Sequence, residues 1–391
     1  MNKKLTLLAG AVAALLALPP APALASTPTS ITLPGLPSRY RAAVITLTME
    51  AGALQIQATR APGLQPGTLL LQGVDSPIEP LQLQAGADGV LHVTQPLPAG
   101  TYTLTITPAV WQGLTITGPD LQATTAIPQV SLSGPAYPNA NEGVILNPTV
   151  SGASALLWNG PDGQAGTFTP SDTAFEPLTL PTTSLADGLY LYTVLAPNAE
   201  SGNVGITLRP VLIDRQGTFP DMPTSHWARR WVEAAYYLGI VSGRPDGSFA
   251  PDANVTRAEF AKLLAATLGL QGGSAEFADI KGHWATSWIQ SLGAAGIVKG
   301  DLIDGQRYFY PDRTISRQEA AAMVARAFAR QSSGKTPTFT DWSEVEPWAT
   351  EPVAALVGEG WLSGFPDGTF GPRRLLSRSQ AAKLLGATFG M

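Results

Sequence analysis

Residues 239–259 read GIVSGRPDGSFAPDANVTRAE, and the same pattern returns as GIVKGDLIDGQRYFYPDRTISRQE at 296–319 and as GWLSGFPDGTFGPRRLLSRSQ at 360–380. The arginines near the ends of these segments, Arg257, Arg317 and Arg378, lie 60 and 61 positions apart. Self-similarity at a fixed period indicates one structural unit copied along the chain. The sequence therefore predicts three repeats, over residues 215–272, 273–335 and 336–391.

Each repeat is predicted to fold as a helix, a loop and a second helix. In the first repeat, apolar side chains at helical spacing precede Gly239, a residue suited to end a helix. The second helix begins with a capping box, in which a hydroxyl and a Glu or Gln side chain satisfy backbone N–H groups reciprocally. The predicted boxes are Thr256 with Glu259, Ser316 with Glu319, and Ser377 with Gln380.

The arginine that follows each capping hydroxyl is not explained by capping. A cation in the first turn opposes the helix dipole, yet all three repeats place an arginine there. One interpretation is a solvated arginine or a structural ion pair. The other is an anion site, where free helix N–H groups and a guanidinium converge on one carboxylate or phosphate. Three such sites would bind weakly alone and strongly together on one polymer.

The repeats resemble S-layer homology domains over about Phe219 to Gly390, through a Phe-x-Asp opening, a Trp-Ala pair, the Gly-Ile-Val-x-Gly loop and the Thr-Arg-Ala-Glu helix start. The resemblance implies an all-α, three-lobed pseudo-trimer with grooves between lobes. It also implies non-covalent binding of an anionic secondary cell-wall polysaccharide, often through a pyruvylated sugar. Carried over, the three arginines would pair with the pyruvate carboxylate. The loop residues that would line the grooves are Ser242, Gly243, Lys299, Gly300, Ser363 and Gly364.

Two repeats depart from the family pattern. The middle one replaces the usual turn with LIDGQRYF at 302–309, and the third has Gln380 where the others have glutamate. We expect this glutamine to preserve capping and to remove one charge beside Arg378, which leaves the first groove closest to the family. Trp227, Trp284 and Trp348 offer sugar stacking or helix packing, and we favour helix packing.

The first half of the chain has a different composition. Residues 27–214 hold four arginines, no lysine and twelve acidic residues, whereas residues 215–391 hold 18 basic and 17 acidic residues. Short segments that alternate apolar and polar side chains, separated by turns such as Asp88-Gly89, predict β-strands. Their number and spacing predict two β-sandwiches, over 26–127 and 128–214. Residues 97–104 and 185–192 loosely resemble a late strand of immunoglobulin-like surface modules.

Composition excludes most catalytic chemistry. The 391 residues include no cysteine and three histidines, His92, His226 and His283, which leaves almost nothing for a metal site or a triad. We predict no cofactor and no metal. A net charge of −5 argues against a nucleic-acid partner. Asp172 and Glu176 could serve a glycosidase, but chance supplies such pairs, so no enzyme is predicted.

The N-terminus has the pattern of a secretory signal peptide, predicted over residues 1–25. Lys3 and Lys4 precede an apolar run over 5–18, and Ala23-Leu24-Ala25 predicts a cleavage site after Ala25. The run is too short for a comfortable membrane span, and no second long apolar stretch follows. The sequence thus predicts a secreted bacterial protein, held on the cell wall by three repeats and displaying structural or adhesive sandwiches. Neighbouring S-layer subunits are further candidate partners. The alternative is a wall-anchored carbohydrate-active enzyme with an unrecognised site in 26–214.

Overall fold

A computed structural model describes residues 30–36, 41–60, 68–75, 78–84, 90–107, 111–134, 144–161, 163–168, 175–270 and 272–388. The predicted signal peptide, the Asp88-Gly89 turn and Asp172 lie outside these residues. The chain divides into two compact units, the first holding nearly all residues up to Ile213 and the second beginning in the main at Asp214.

The first unit is built from β-strands, and each segment of alternating apolar and polar residues overlaps one of them. In the described residues the strands are β1 (Ser30–Leu36), β2 (Arg41–Met49), β3 (Gly52–Arg60), β4 (Thr68–Gly73), β5 (Leu81–Gln84), β6 (Val90–Leu97), β7 (Gly100–Ile106), β8 (Trp111–Thr117), β9 (Gln129–Ser133), β10 (Val144–Ser151), β11 (Leu156–Asn159), β12 (Ala165–Phe168), β13 (Leu178–Leu180), β14 (Gly188–Pro197) and β15 (Val204–Ile213).

These strands enclose two hydrophobic cores. The first core lies between the sheet β1-β8-β3-β6 and strands β2, β7, β4 and β5, and includes Ile56, Leu104 and Trp111. The second lies between the sheet β13-β10-β9 and strands β12, β11, β14 and β15, and includes Trp158 and Tyr192. Each core lies between two sheet surfaces, as in a β-sandwich.

One sheet is shared by both cores. Its strand order is β12-β11-β14-β15-β2-β7-β4-β5, and it is continuous because β15 pairs antiparallel with β2. The fully buried Asn203 strengthens this joint. Its amide nitrogen donates to the carbonyl oxygens of Thr124 and Ala126 at 2.7 and 3.0 Å, and its amide oxygen accepts from the Thr46 N–H at 3.1 Å. The two cores are therefore held in one continuous framework.

The joint has no room for a side chain at Gly205. A β-carbon at this position would overlap the carbonyl oxygen of Pro128. We expect Gly205→Ala to lower the free energy of unfolding of the first unit by about 2–3 kcal/mol, because backbone must move to relieve the overlap. Urea denaturation followed by circular dichroism measures this. Gly113→Ala is the matched control, since nothing lies within 4 Å of its β-carbon; an equal loss there would contradict the explanation.

The second unit is mainly helical. Its described helices are α1 (Arg229–Tyr237), α2 (Arg257–Leu268), α3 (Thr286–Ala294), α4 (Arg317–Ala327), α5 (Pro347–Gly358) and α6 (Arg378–Ala387), with a short 3₁₀ helix at Trp342–Glu344. The middle repeat adds a hairpin of β16 (Asp301–Ile303) and β17 (Gln306–Tyr308). Asp304 and Gly305 make its turn with φ of 48° and 80°, as a two-residue I′ hairpin requires. The all-α expectation is therefore not met in this repeat.

The three repeats close into a ring. The first helix of each repeat packs on the second helix of the preceding repeat: α3 on α2, α5 on α4, and α1 back on α6. At the centre, the Val255 N–H donates to the Leu376 carbonyl and the Leu376 N–H to the Ile315 carbonyl, both at 2.9 Å. The Ile315 N–H completes the cycle by donating to the Val255 carbonyl at 3.0 Å. Every repeat therefore depends on both neighbours.

Candidate functional site

Ring closure determines what each second helix meets at its N-terminus. The N–H groups of Arg257 and Ala258 donate to the carbonyl oxygens of Arg313 and Pro311 in the next repeat, at 2.8 and 2.9 Å. The third N–H, of Glu259, donates to the capping hydroxyl of its own box. The other two repeats make equivalent bonds. The anion-site interpretation is wrong in this part, because these helix N–H groups are already occupied.

The three arginines form a second set of links between repeats. The Nε of Arg257, Arg317 and Arg378 donates to the carbonyl oxygen of Phe309, Phe370 and Phe249, at 2.7, 3.0 and 2.8 Å. Each guanidinium also lies over the ring of the same phenylalanine, 4.6–4.9 Å from its centroid. The arginine thus joins its own repeat to the next one, which is a structural role that capping alone did not suggest.

The aspartate of each Phe-x-Asp opening fixes the acceptor of this arginine bond. The Asp341 carboxylate accepts the N–H groups of Phe370 and Gly371, both at 2.7 Å. Asp221 and Asp279 do the same in their repeats. Burial alone would raise the pKa of Asp221, but the two backbone N–H groups hold it below its ordinary value. The loop is therefore fixed with its phenylalanine carbonyl toward the arginine.

One cleft, which we call the Arg317 groove, is lined by cations without a carboxylate. It has a volume of about 450 Å³, and its described lining includes Arg317, Lys383, Gln380, Ser363 and Trp227. An Arg317 terminal nitrogen donates to the Ser363 carbonyl oxygen at 3.0 Å, and the Lys383 Nζ lies 3.3 Å from the Ser363 hydroxyl. Among the described residues, Arg317 has no ion pair.

The electrostatics of this groove favour an anion. Burial lowers the pKa of Arg317 to about 10, with the charge of Arg374 adding to the effect and that of Asp341 opposing it. Burial likewise lowers the pKa of Lys383, and the nearby charges of Arg317 and Arg230 lower it further. With a pKa of about 10, Arg317 stays protonated at neutral pH, and the Lys383 amine faces the same cleft. The charge of a bound oxyanion would offset their mutual repulsion and compensate the cost of burying them.

The equivalent cleft in the middle repeat, the Arg257 groove, contains its own carboxylate. Its volume is about 280 Å³, and its described lining includes Arg257, Arg313, Glu319, Lys299 and Trp348. A terminal nitrogen of Arg257 lies 3.1 Å from Glu319 Oε1, and Arg313 binds the same oxygen. Burial alone would raise the pKa of Glu319, but the Ser316 N–H and the charge of Arg257 hold it below its ordinary value. The Glu319 carboxylate thus pairs with two of the cations of this groove, Arg257 and Arg313.

The charge environment of Arg378 is intermediate between those of Arg317 and Arg257. A terminal nitrogen of Arg378 donates to the Ser242 carbonyl oxygen at 2.9 Å. Burial lowers the pKa of Arg378, while the charge of Glu259 acts in the opposite direction without a described ion pair to it. Because repeats interact in a ring, the arginine of one repeat faces the capping residue of the next. Gln380 consequently removes a charge beside Arg317, and not beside Arg378 as expected.

The predicted loop residues have mixed roles. The carbonyl oxygens of Ser242 and Ser363 accept from groove arginines, but that of Lys299 accepts from Arg307 at 2.7 Å. A β-carbon on the loop glycines would lie 2.5–2.8 Å from the phenylalanine ring of the same repeat's Phe-x-Asp opening. Packing against that ring therefore explains why the loops need glycine. The three glycines are Gly243, Gly300 and Gly364.

The repeated tryptophans do not lie in the helical core. Trp227, Trp284 and Trp348 are 50%, 54% and 49% exposed, so the helix-packing prediction is wrong. Trp227 lines the Arg317 groove and Trp348 lines the Arg257 groove. A half-exposed indole beside a cation is suited to cover one face of a sugar ring. Sequence reasoning also missed Lys383, since its helix position showed only that it lies five residues after Arg378.

Other classes of site are not found in the part of the chain that the structure describes. No group of three or more His, Asp or Glu side chains there is arranged to hold a metal ion. None of the described helices has the length and apolar character needed to cross a membrane.

Comparison with known families agrees with the division into three repeats. The S-layer homology domain family matches residues 218–261, 276–321 and 338–382, one match in each repeat. The chain therefore carries three S-layer homology domains. These domains indicate a secreted protein of the cell surface.

The curated relatives that this chain resembles are several kinds of protein. S-layer protein EA1 of Bacillus anthracis is 29% identical over 44% of this chain and 20% of its own length. An uncharacterized cell wall amidase of the same organism is 33% identical over 44% of this chain and 32% of its own. A cellulosome-anchoring protein of Acetivibrio thermocellus is 35% identical over 36% of this chain and 32% of its own. The chain thus spans a fifth to a third of these relatives.

Proposed function

We propose that the three repeats hold this protein non-covalently on an anionic secondary cell-wall polysaccharide, through a pyruvylated sugar. The Arg317 groove is the observation that carries the proposal, because Arg317 and Lys383 face it without a carboxylate partner among the described residues. A pyruvate ketal offers one carboxylate, which matches two convergent donors. The relatives, which include S-layer and cellulosome-anchoring proteins, support a cell-wall role.

The groove supplies each contact that such a sugar needs. The carboxylate would lie between the Arg317 guanidinium and the Lys383 ammonium, while the sugar ring would cover the exposed face of Trp227. The backbone around Ser363 and Gly364 offers polar groups to sugar hydroxyls. Arg257 and Arg378, with Ser242, Gly243, Lys299 and Gly300, would form the weaker sites. Binding of several grooves to one polymer would raise the avidity of the whole anchor.

The proposal is tested by co-sedimentation of the full chain with purified walls. We expect the protein to pellet with intact walls and to stay in the supernatant once the non-peptidoglycan polymer has been extracted. Extracted polymer added back in solution should compete for binding. Unchanged sedimentation after extraction would reject this partner and would point to peptidoglycan itself.

We further propose that the first unit displays two immunoglobulin-like sandwiches. The second sandwich supports this most clearly, since sheets β13-β10-β9 and β12-β11-β14-β15 correspond in order to strands E-B-A and C′-C-F-G of that fold. Trp158 on the third strand packs near Tyr192, with ring centroids 6.3 Å apart. The Tyr192 hydroxyl donates to the Pro181 carbonyl oxygen, as in a tyrosine corner. Such modules suit a structural, spacer or adhesive role, with neighbouring S-layer subunits as candidate contacts.

A wall-anchored enzyme is the second candidate, because one relative is described as a cell wall amidase. The described strands bring no catalytic constellation together, so we favour display. Incubating the full chain with wall preparations and plant polysaccharides, and measuring released reducing ends and free amino groups, separates the candidates. Sustained turnover would replace the display proposal.

A further inference from the structure

We infer that the third residue of each second helix decides which groove accepts an anion, with Gln380 opening the Arg317 groove and Glu319 closing the Arg257 groove as an internal ligand. This inference rests on the proposed function, in which the grooves bind an anionic polymer. It adds that the three repeats are specialised and that one groove provides most of the affinity.

Glu319 performs two tasks with its two oxygens. Its Oε2 accepts the Ser316 N–H at 2.9 Å and completes the capping box. Its Oε1 binds Arg257 at 3.1 Å and also binds Arg313. The second oxygen therefore occupies the position beside Arg257 that a ligand carboxylate would need. An external anion would have to displace a carboxylate that is tethered in place and always present.

Gln380 keeps the first task and loses the second. Its Oε1 accepts the Ser377 N–H at 3.1 Å, and its backbone N–H donates to the Ser377 hydroxyl at 3.3 Å, so the capping box is intact. Its side chain has the shape of glutamate but no charge. The neighbouring Arg317 therefore keeps the terminal nitrogen that does not bind Ser363 available, and Lys383 adds a second cation to the same cleft.

The two grooves also differ in their second cation. Lys383 lies five residues after Arg378, and the corresponding position after Arg317 is Ala322. The lining of the Arg257 groove includes three further cations, Arg313, Lys299 and Arg326, and Arg313 is engaged by Glu319. The two sequence differences therefore both favour an anion in the Arg317 groove, because this groove lacks the carboxylate of Glu319 and contains Lys383. We expect affinity to fall from the Arg317 groove to the Arg257 groove.

Exchanging the two capping residues tests the inference without disturbing capping. In the full chain, Gln380→Glu should weaken binding of soluble extracted wall polymer at least tenfold, as measured by isothermal titration calorimetry. Glu319→Gln should strengthen binding severalfold or raise the number of sites. Gln306→Glu is the matched control, since Gln306 is exposed on β17 and outside both grooves; it should bind as the parent chain does.

The result separates this inference from the proposed function. If Gln380→Glu and Lys383→Gln both bind like the parent chain, while binding still requires the polymer, the grooves do not differ as inferred and the anchor proposal stands. If binding does not require the polymer, the proposed function fails first.

Polymer treated with mild acid to hydrolyse its pyruvate ketals distinguishes a ketal carboxylate from a backbone phosphate. Only a ketal carboxylate predicts that the effect of Gln380→Glu is lost after this treatment. Thermal unfolding of each variant checks that folding is unchanged.

Discussion

Replacing Arg317 with alanine is expected to weaken attachment of the full chain to purified walls at least tenfold, whereas Arg257→Ala should change it less than about threefold. A charge-assisted hydrogen bond is worth about 1.5–3 kcal/mol, and 1.4 kcal/mol corresponds to a factor of ten. Arg317 has no carboxylate partner among the described residues, so its charge is available to a ligand. The charge of Arg257 is already satisfied by Glu319.

The two substitutions share part of their structural cost, since each removes one hydrogen bond to a phenylalanine carbonyl and one guanidinium–ring contact, of 4.9 Å for Arg317 and 4.7 Å for Arg257. Arg317→Ala also removes the bond to the Ser363 carbonyl and the contact with the Phe365 ring, and Arg257→Ala removes the ion pair with Glu319. We expect both to lower the stability of the second unit by about 1–2 kcal/mol. A difference in wall binding therefore reports on the grooves. Equal loss of binding in both variants, measured by co-sedimentation, would contradict a distinct role for Arg317.

Single substitutions are also more informative than removing all three arginines. The three guanidinium groups link the repeats in a ring, so a triple alanine variant would lose three such links at once. Loss of wall binding by that variant would then have two explanations, loss of contacts and loss of the fold.

Features with a local cause were predictable from the sequence. The Ser or Thr and the Glu or Gln of each capping box lie three residues apart, and the structure forms all three boxes. Strand segments were equally predictable from the sequence, because alternation of apolar and polar residues reflects one buried sheet face. The turn of the β16–β17 hairpin is visible in the sequence as Asp304-Gly305, but a departure from the repeat pattern does not by itself predict a hairpin.

Features that depend on ring closure were not predictable. The helix N–H groups, the guanidinium groups and the Glu319 carboxylate all meet partners about 50–60 residues or more away, in a neighbouring repeat. A repeat period shows that units are alike and does not show which side of one unit meets the next. For this reason the effect of Gln380 was assigned to Arg378, its sequence neighbour, when it belongs to Arg317. The pairing of β15 with β2 could likewise not be predicted, because the sequence does not show which distant strands become neighbours.

Phe370→Ala is expected to lower the free energy of unfolding of the second unit by about 3–5 kcal/mol, as for other fully buried phenylalanines. The Phe370 side chain is 0% exposed, packs 5.6 Å from the Phe339 ring centroid and lies under the Arg317 guanidinium. Phe365→Ala is the control, because Phe365 also contacts Arg317 but is only partly buried. We expect about 1 kcal/mol for that change. Urea denaturation gives both values.

The Phe370 variant also tests whether the ring unfolds as one unit. In a linear repeat array, stability is a sum of repeat and neighbour contributions, so damage can stay local. Here α1 packs on α6 and the central backbone bonds form a cycle, so each repeat loses a neighbour when another opens. Hydrogen exchange should therefore show protection falling together in α2, α4 and α6. Loss of protection confined to residues 336–388 would mean that the closed ring does not couple the repeats.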